Sequence, residues 1–386
     1  MMIKTMVPAN TNQVKTFLTT NLQPYLHAKR LASLGDAVLG TITSQSLQPS
    51  KMGDGLAAAK GLLPKHTRKQ VDRLISNNGI DVDIWQDKLA LLLISNRQRI
   101  YVAMDWTVFA KDEQMTITLR LVTTHGRATP LLWRTVSAVG LKGNKNSHVF
   151  ALLEKLRSLA LDNCQVIVLA DREFGTLNNM KKLKEELKFD YILRIKRNFT
   201  VTDKQGIKKL AYEWLNLQAP TCIDDGKIRV ENYAVKKVVI CKEPGMKEMW
   251  CLVCSIADIA TQTILTLYGK RWTTECSYRD EKDLYFGMGL KKVRVKKTAR
   301  RQRLLLISAI VIILLTVLGA ASEAAEFDKY LKANTVKQRT HSLFAQGPLI
   351  VKLLPTMADD WKLRLMANFL EYSRGLKAIS VDQFVV

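Results

Sequence analysis

The chain has 386 residues, 47% of them hydrophobic, and its 59 Lys and Arg against 35 Asp and Glu give a formal charge of +24 at pH 7. That is long enough for about two to four domains around at least one well-buried core, and the charge attracts polyanions, nucleic acid first, because each phosphate contact releases counterions. An anionic membrane surface or ribosome-like packing fits less well, since neither normally comes with a long, patterned apolar core.

The opening "MMIKTMVPANTNQVKTF" lacks an apolar stretch of signal-peptide length, so a cytoplasmic rather than a secreted protein is expected. Residues 1–95 read as a helical region, with helical apolar spacing in "VKTFLTTNLQPYL", "KRLASLGDAVLGTI", "GDGLAAAKGLL", "KHTRKQVDRLISN" and "DVDIWQDKLALLLIS". In the fourth of these, His66, Arg68, Lys69 and Arg73 lie close together on a short helix. A DNA-reading element and a solvated basic face both fit, and Arg68 and Lys69 are the candidate contacts.

The pattern then turns to strands. "RIYVAMDWTVF" is an almost continuous apolar run ending in Asp105, as expected of a strand buried on both faces. "MTITLRLVTTHGRATPLLWRTVS" reads as two antiparallel strands around a turn at His125 to Ala128. "SHVFALLEKLRSLALDN" is an amphipathic helix with Ser147 as its cap, and "CQVIVLADREFG" is a second buried strand ending in an aspartate, Asp171. "TLNNMKKLKEELKF" is helix and "DYILRIKRN" strand. Three antiparallel strands, helix, strand, helix and strand is the order of a ribonuclease H-like α/β fold. Its first part is expected over 96–198.

Residues 199–257 break that rhythm, with strands and turn signals at Asp225-Gly226 and Pro244-Gly245 that predict a β-rich insertion. The core resumes over 258–325, and 326–386 reads as a helical C-terminal region, a candidate for dimerisation. "LLLISAIVIILLTVLGAA", Leu304 to Ala321, is 18 uncharged residues behind the basic flank "KKVRVKKTARRQR". It stands at the threshold of a transmembrane span, but as one minimal segment containing Ser308 and Thr316 it reads as a helix buried in a large core. Of six cysteines only Cys251 and Cys254 form a CxxC pair, and no His lies between His148 and His341. Two small hydrophobes on a strand are expected there, not zinc ligands.

A charge at the edge of an apolar layer must be paired or bound to metal. For either aspartate alone a turn cap or salt bridge suffices. Two such strands that are neighbours in one sheet would bring Asp105 and Asp171 together at their carboxyl ends. In "YGKRWTTECSYRDEK", positions 268, 271, 275 and 282 fall within an arc of about 60° on one helix. Glu275 has Arg271 and Arg279 four residues to either side, which by itself suits a surface ion-pair ladder. After two strands ending in aspartate, Glu275 becomes a third carboxylate for divalent cations, which take oxygen ligands and, as a pair roughly 3.5–4 Å apart, stabilise the attacking and leaving oxygens at phosphorus.

Tyr268, two residues, Arg271, three residues, Glu275, six residues, Lys282 resembles the Tyr-Arg-Glu-Lys signature of bacterial insertion-sequence DDE transposases of the cut-and-paste type, an IS-four-like family. "AMDWT" and "LADREFG" fall where that family's first two catalytic aspartates belong, and "VDRLISN" and "YILRIKRN" extend the likeness. The resemblance implies that Asp105, Asp171 and Glu275 are the catalytic, metal-binding triad, with two Mg²⁺ per site or Mn²⁺ in their place. It also implies that Tyr268, Arg271 and Lys282 contact DNA phosphates. The family's β-rich insertion would explain the separation of 104 positions from Asp171 to Glu275. Trp250 falls where an insertion Trp stacks on a flipped base in some members. A core strand Trp fits equally, and stacking would add about 1–3 kcal/mol. Arg194, Lys196 and Arg197 are candidates for the DNA backbone, 194 and 196 pointing the same way along a strand.

The implied function is transposition: metal-dependent cleavage at the terminal inverted repeats, then strand transfer into target DNA by the freed 3′-hydroxyl, with a DNA hairpin as one route and a homodimer on double-stranded DNA. A plain ribonuclease H-like nuclease or resolvase would use the same acids. A domesticated, non-catalytic DNA-binding protein would not need to keep all three.

Overall fold

Strands Arg99–Phe109 (β1), Gln114–Leu121 (β2) and Thr129–Ser137 (β3) form an antiparallel meander, while Gln165–Ala170 (β4) and Asp190–Arg194 (β5) add in parallel on the other edge of β1. The resulting order β3-β2-β1-β4-β5 is compatible with a ribonuclease H-like core. β1 and β4 are nearly all buried, which explains their unbroken apolar character. The computed structural model describes residues 11–22, 27–95, 97–160, 163–285, 287–374 and 376. The expected first helix beyond Leu22, the "LD" after Ala160 and the stretch from 377 to Val386 lie outside them.

The N-terminal expectation of helices is met by α1 (Thr11–Leu22), α2 (Ala28–Ser44), α3 (Pro49–Lys60), α4 (Pro64–Ser76) and α5 (Val82–Ile94). Pro49 and Pro64 open α3 and α4, where a missing N–H costs no bond. Asp81 caps α5 by accepting from the N–H groups of Asp83 and Ile84. Helix α6 (Lys145–Leu159) packs on β2 and β3, and its N-cap is Asn144. Ser147 is therefore not the cap: it lies inside the first turn, where its hydroxyl donates back to the Asn144 carbonyl at 2.7 Å. Between β4 and β5, α7 (Leu177–Lys181) passes into a π-helical turn at Lys182–Glu186.

The β-rich segment does not stand apart from the core. Strands Thr221–Asp224 (β8), Lys237–Cys241 (β11) and Trp250–Cys254 (β12) extend the main sheet beyond β5 in the order β5-β12-β11-β8. Only Thr200–Thr202 (β6), Lys208–Leu210 (β7), Lys227–Ile228 (β9) and Tyr233–Ala234 (β10) form a separate small sheet. Cys251 and Cys254 are buried on β12 as free thiols, as small hydrophobes would be.

Two short helices, α8 (Thr261–Lys270) and α9 (Trp272–Lys282), lead to α10 (Thr298–Ala324). α10 is long and apolar enough to cross a membrane, and its most apolar 18-residue window is wholly buried inside the fold. It is the hub of the helical layer, packed against α2, α4, α5, β3 and the C-terminal helices α11 (Leu343–Leu353) and α12 (Asp359–Ser373). The basic flank has a use in the fold: Arg301 is fully buried, paired with Asp112, bonded to Gln114 and stacked on Phe109 at 3.8 Å. Helices α10 and α11 meet backbone to backbone, since a Cβ on Gly319 would lie 2.0 Å from the Leu343 carbonyl.

Candidate active site

Parallel pairing of β1 with β4 sets Ala103 opposite Leu169, so two residues further along each chain Asp105 and Asp171 stand abreast. Asp105 is not the end of its strand. β1 continues to Phe109 against β2 alone, and Asp105 sits where the pairing with β4 has stopped. A carboxylate is tolerated there because one strand edge opens, and both aspartates line a cavity of about 240 Å³. The Trp106 N–H donates to Asp105 Oδ1 at 2.8 Å, and those of Glu173 and Phe174 to Asp171 Oδ1 at 3.0 and 3.3 Å. The loop after Asp171 then passes β5 so closely that a Cβ on Gly175 would lie 1.9 Å from the Arg194 carbonyl.

Glu275 arrives from the other side, on α9. The stretch from Tyr268 to Lys282 is not one regular helix: it breaks at Arg271, between α8 and α9. Arg271 keeps right-handed helical angles (φ −52°, ψ −32°), and its N–H and carbonyl make three-residue bonds to Tyr268 and Thr274, so the turn tightens and the chain continues onward.

What holds α9 against the sheet is a buried polar chain through Tyr278, one turn beyond Glu275. Arg120 Nε donates to Thr118 Oγ1 at 3.4 Å, Thr118 bonds the Tyr278 hydroxyl, and that hydroxyl donates to the Asp105 carbonyl at 2.9 Å. Arg120 also lies 4.3 Å over the Tyr278 ring and pairs with Glu281, both partners being buried. Ser308 of α10 donates to the other Glu281 oxygen at 3.0 Å. Arg127 pairs with Asp280, and Lys282 donates to Thr107 on β1 at 2.8 Å. Helix α9 is thus tied to β1, β2 and α10 within about two turns of Glu275.

Burial pushes the Asp105 carboxyl above its ordinary range, opposed by Arg271 and the Trp106 N–H and reinforced by the charges of Asp171 and Glu275. The three acids therefore share one field. They do not form a ready cage, however: among the described residues no group of three or more His, Cys, Asp or Glu is arranged to hold a metal ion. Arg271 stands among the three acids. Its guanidinium bonds Glu275 at 3.2 Å, and although burial opposes its charge, Tyr268, Asp105, Glu275 and Asp171 raise its pKa. The donor chemistry itself, three carboxylates of which one is destabilised by burial and like charge, suits a hard divalent cation.

The remaining candidates fall into three places. Tyr268 is buried, 3% exposed, with its ring edge-on to Trp250 at 4.9 Å. Trp250 is half-buried and lines a cavity of about 380 Å³ together with Arg194, Tyr268 and Arg271. β5 ends at Arg194, yet the Ile195 N–H still bonds the Cys251 carbonyl at 2.8 Å, and Ile195 is buried between half-buried Arg194 and exposed Lys196. Lys196 and Arg197 are exposed, and with Arg194 they line a larger cavity of about 870 Å³. On α4, Lys69 is exposed, but Arg68 is engaged by Asp54 through two bonds of 2.6 and 3.0 Å and does not project freely.

Sequence reasoning missed Trp272, 57% exposed beside Arg271 in the smaller cavity, and Arg172, Lys242 and Lys247 around the larger one. Trp272 was detectable as an aromatic about 100° away around the helix from Arg271 and off its apolar stripe. The cations carried no such signal.

Residues 133–314, a little under half of the chain, match the family model of the transposase DDE domain, which supports a DDE transposase family. The match includes Asp171 and Glu275 and begins after Asp105. No curated protein matches the chain.

Proposed function

We propose that the chain is an insertion-sequence DNA transposase of the Tyr-Arg-Glu-Lys type, cutting at its element's ends and joining them to target DNA, with Asp105, Asp171 and Glu275 holding divalent cations. The observation that carries this reading is the in-register convergence of Asp105 and Asp171 on adjacent parallel strands, with Glu275 in the same field, in a chain of charge +24. Divalent cations, Mg²⁺ or Mn²⁺, supply positive charge at the oxygens that attack and leave phosphorus.

The chain's own residues do the rest. Arg271 leaves the acids for the scissile phosphate, a planar guanidinium being suited to that exchange. Lys282 donates to Thr107 beside Asp105; burial lowers its pKa, opposed by the charges of Glu281 and Asp105, and it stands at the strand edge facing the phosphate path. Trp250 and Trp272 offer ring surfaces to an unstacked base in the smaller cavity. Lys196, Arg197 and Arg194 receive the backbone beyond it. Helices of the first 95 residues, with Lys69 exposed on α4, bind duplex outside the site, and the C-terminal region past residue 326 joins two copies on DNA.

Glu275→Gln tests the reading. Mg²⁺-dependent cleavage of duplex bearing the element's terminal repeats should be lost while gel-shift binding persists. Full cleavage by that variant removes Glu275 from the triad.

A further inference from the structure

The cavities of about 870 and 380 Å³ near the acids share part of their walls. Their linings share Arg194, Lys247 and Glu248, and Glu248 is the only acidic residue in either. Its Oε2 accepts from Arg172 Nη1 at 2.9 Å and from Arg194 Nη2 at 2.8 Å. One oxygen held by two guanidinium groups is how arginines take a non-bridging phosphate oxygen. We propose that Arg172 and Arg194 form a phosphodiester-binding fork that Glu248 occupies in the free protein, and that a DNA backbone displaces this carboxylate to run from the acids into the larger basic cavity. The inference rests on the DNA-processing reading above and adds a site to it.

Three features suit the exchange. The fork is registered on the reacting centre, because Arg172 directly follows Asp171 at the end of β4 and Arg194 closes β5. Arg194 also donates to the Met249 carbonyl at 2.9 Å, so it keeps its aim when Glu248 leaves. Glu248 is carried on the loop between β11 and β12, which turns through Gly245 at φ +86° and bonds within itself, Met246 N–H to the Glu243 carbonyl. The turn can therefore stay in place, with the Met249 carbonyl on Arg194, while the exposed Glu248 side chain rotates outward.

Charge favours the exchange as well. Glu248 and Arg172 are each about half exposed, and an ion pair so exposed is weakly held. A phosphate offers the same bonds and releases counterions besides. With Glu248 withdrawn, Lys196, Arg197, Lys242 and Lys247 line a continuous path from Arg271, and the exposed Tyr212 offers a ring for an unpaired base.

The test uses the full chain and a mixed-sequence duplex of about 30 base pairs, with binding followed by fluorescence anisotropy across a KCl titration. Glu248→Gln should tighten binding by about 3- to 10-fold at physiological salt while melting with the wild type. Glu243→Gln, on the same exposed loop but bonded to neither arginine, controls for loss of a charge as such and should change affinity less than about 2-fold. Arg172→Gln should weaken binding and lower the slope of log affinity against log salt by about one. Equal effects of the two glutamate substitutions, weaker binding by Glu248→Gln, or an unchanged slope in Arg172→Gln would overturn the fork and leave a structural pair that pins the loop. Wild-type chain that binds no duplex even at low salt would bring down the functional reading together with the fork, whereas wild-type binding and cleavage with an inert Glu248 would remove the fork alone.

Discussion

Arg120→Met isolates the buried chain that ties α9 to the sheet. Arg120 and Glu281 are 1% and 3% exposed in their side chains. Methionine fills similar space without charge, so Glu281 keeps only the Ser308 hydroxyl, 3.0 Å away, as its recorded donor. Stranding one partner of a buried pair costs about 3–5 kcal/mol. The lower half of that range is expected, because Arg120 Nη1 has no hydrogen-bond partner among the described residues and its desolvation cost disappears with the substitution. At about 2.1 cal/mol/K per residue of unfolding entropy, a chain of 386 residues melting as one unit loses roughly 1 °C per kcal/mol, so calorimetry should record a fall of about 4–5 °C. Arg120→Met with Glu281→Leu removes both charges and should recover the wild-type melting temperature to within about 1 °C, since a well-packed apolar pair replaces a buried ion pair at little cost. A single substitution costing under about 1 kcal/mol, or a double one no more stable than the single, would refute the claim that this pair is buried and mutually dependent.

Asp190 opens β5 and accepts from Lys184, Ser255 and Gln165 at 2.7, 2.7 and 2.8 Å; burial raises its pKa, but these bonds outweigh burial and hold it below 3.8. Its stabilisation is therefore present above pH 3.8 and lost as pH falls through the lower folded value. Asp190→Asn should cost about 1–3 kcal/mol at pH 7, and urea unfolding should show the gap to wild type closing in acid; a gap independent of pH contradicts the assignment. Gly319→Ala puts a methyl group against the Leu343 carbonyl and should destabilise by about 1–3 kcal/mol through forced separation of α10 and α11, measured by denaturant midpoint; a neutral result refutes the close approach. Trp250→Ala should impair hairpin formation on end-bearing duplex more than first-strand nicking, whereas equal loss in both favours a packing role against Tyr268.

Much of the core was legible because its signals are local. Buried parallel strands cannot carry polar residues on either face, so β1 and β4 stand out as apolar runs, and a carboxylate at position 105 or 171 interrupts them visibly. The same locality misled in places. Ser147 looked like a cap because position in sequence cannot tell Ncap from the first turn, and Asp105 looked like a strand end because nothing nearby announces that β1 runs on to Phe109 against β2 alone.

By itself, then, the sequence determined the strand and helix order, the burial of the Leu304 to Ala321 stretch as a reading distinct from a membrane span, and the three carboxylates worth testing. Only the tertiary structure decided that half of the β-rich segment joins the main sheet, that Arg271 stands among the acids, that Tyr278 ties α9 to the Asp105 backbone, and that Glu248 bridges Arg172 and Arg194. The division has one physical cause. Apolar periodicity is imposed on residues three or four apart along the chain, whereas a charge's partner is chosen by distance in space. Here those partners come from strands and loops more than 50 residues away, where no local pattern records them.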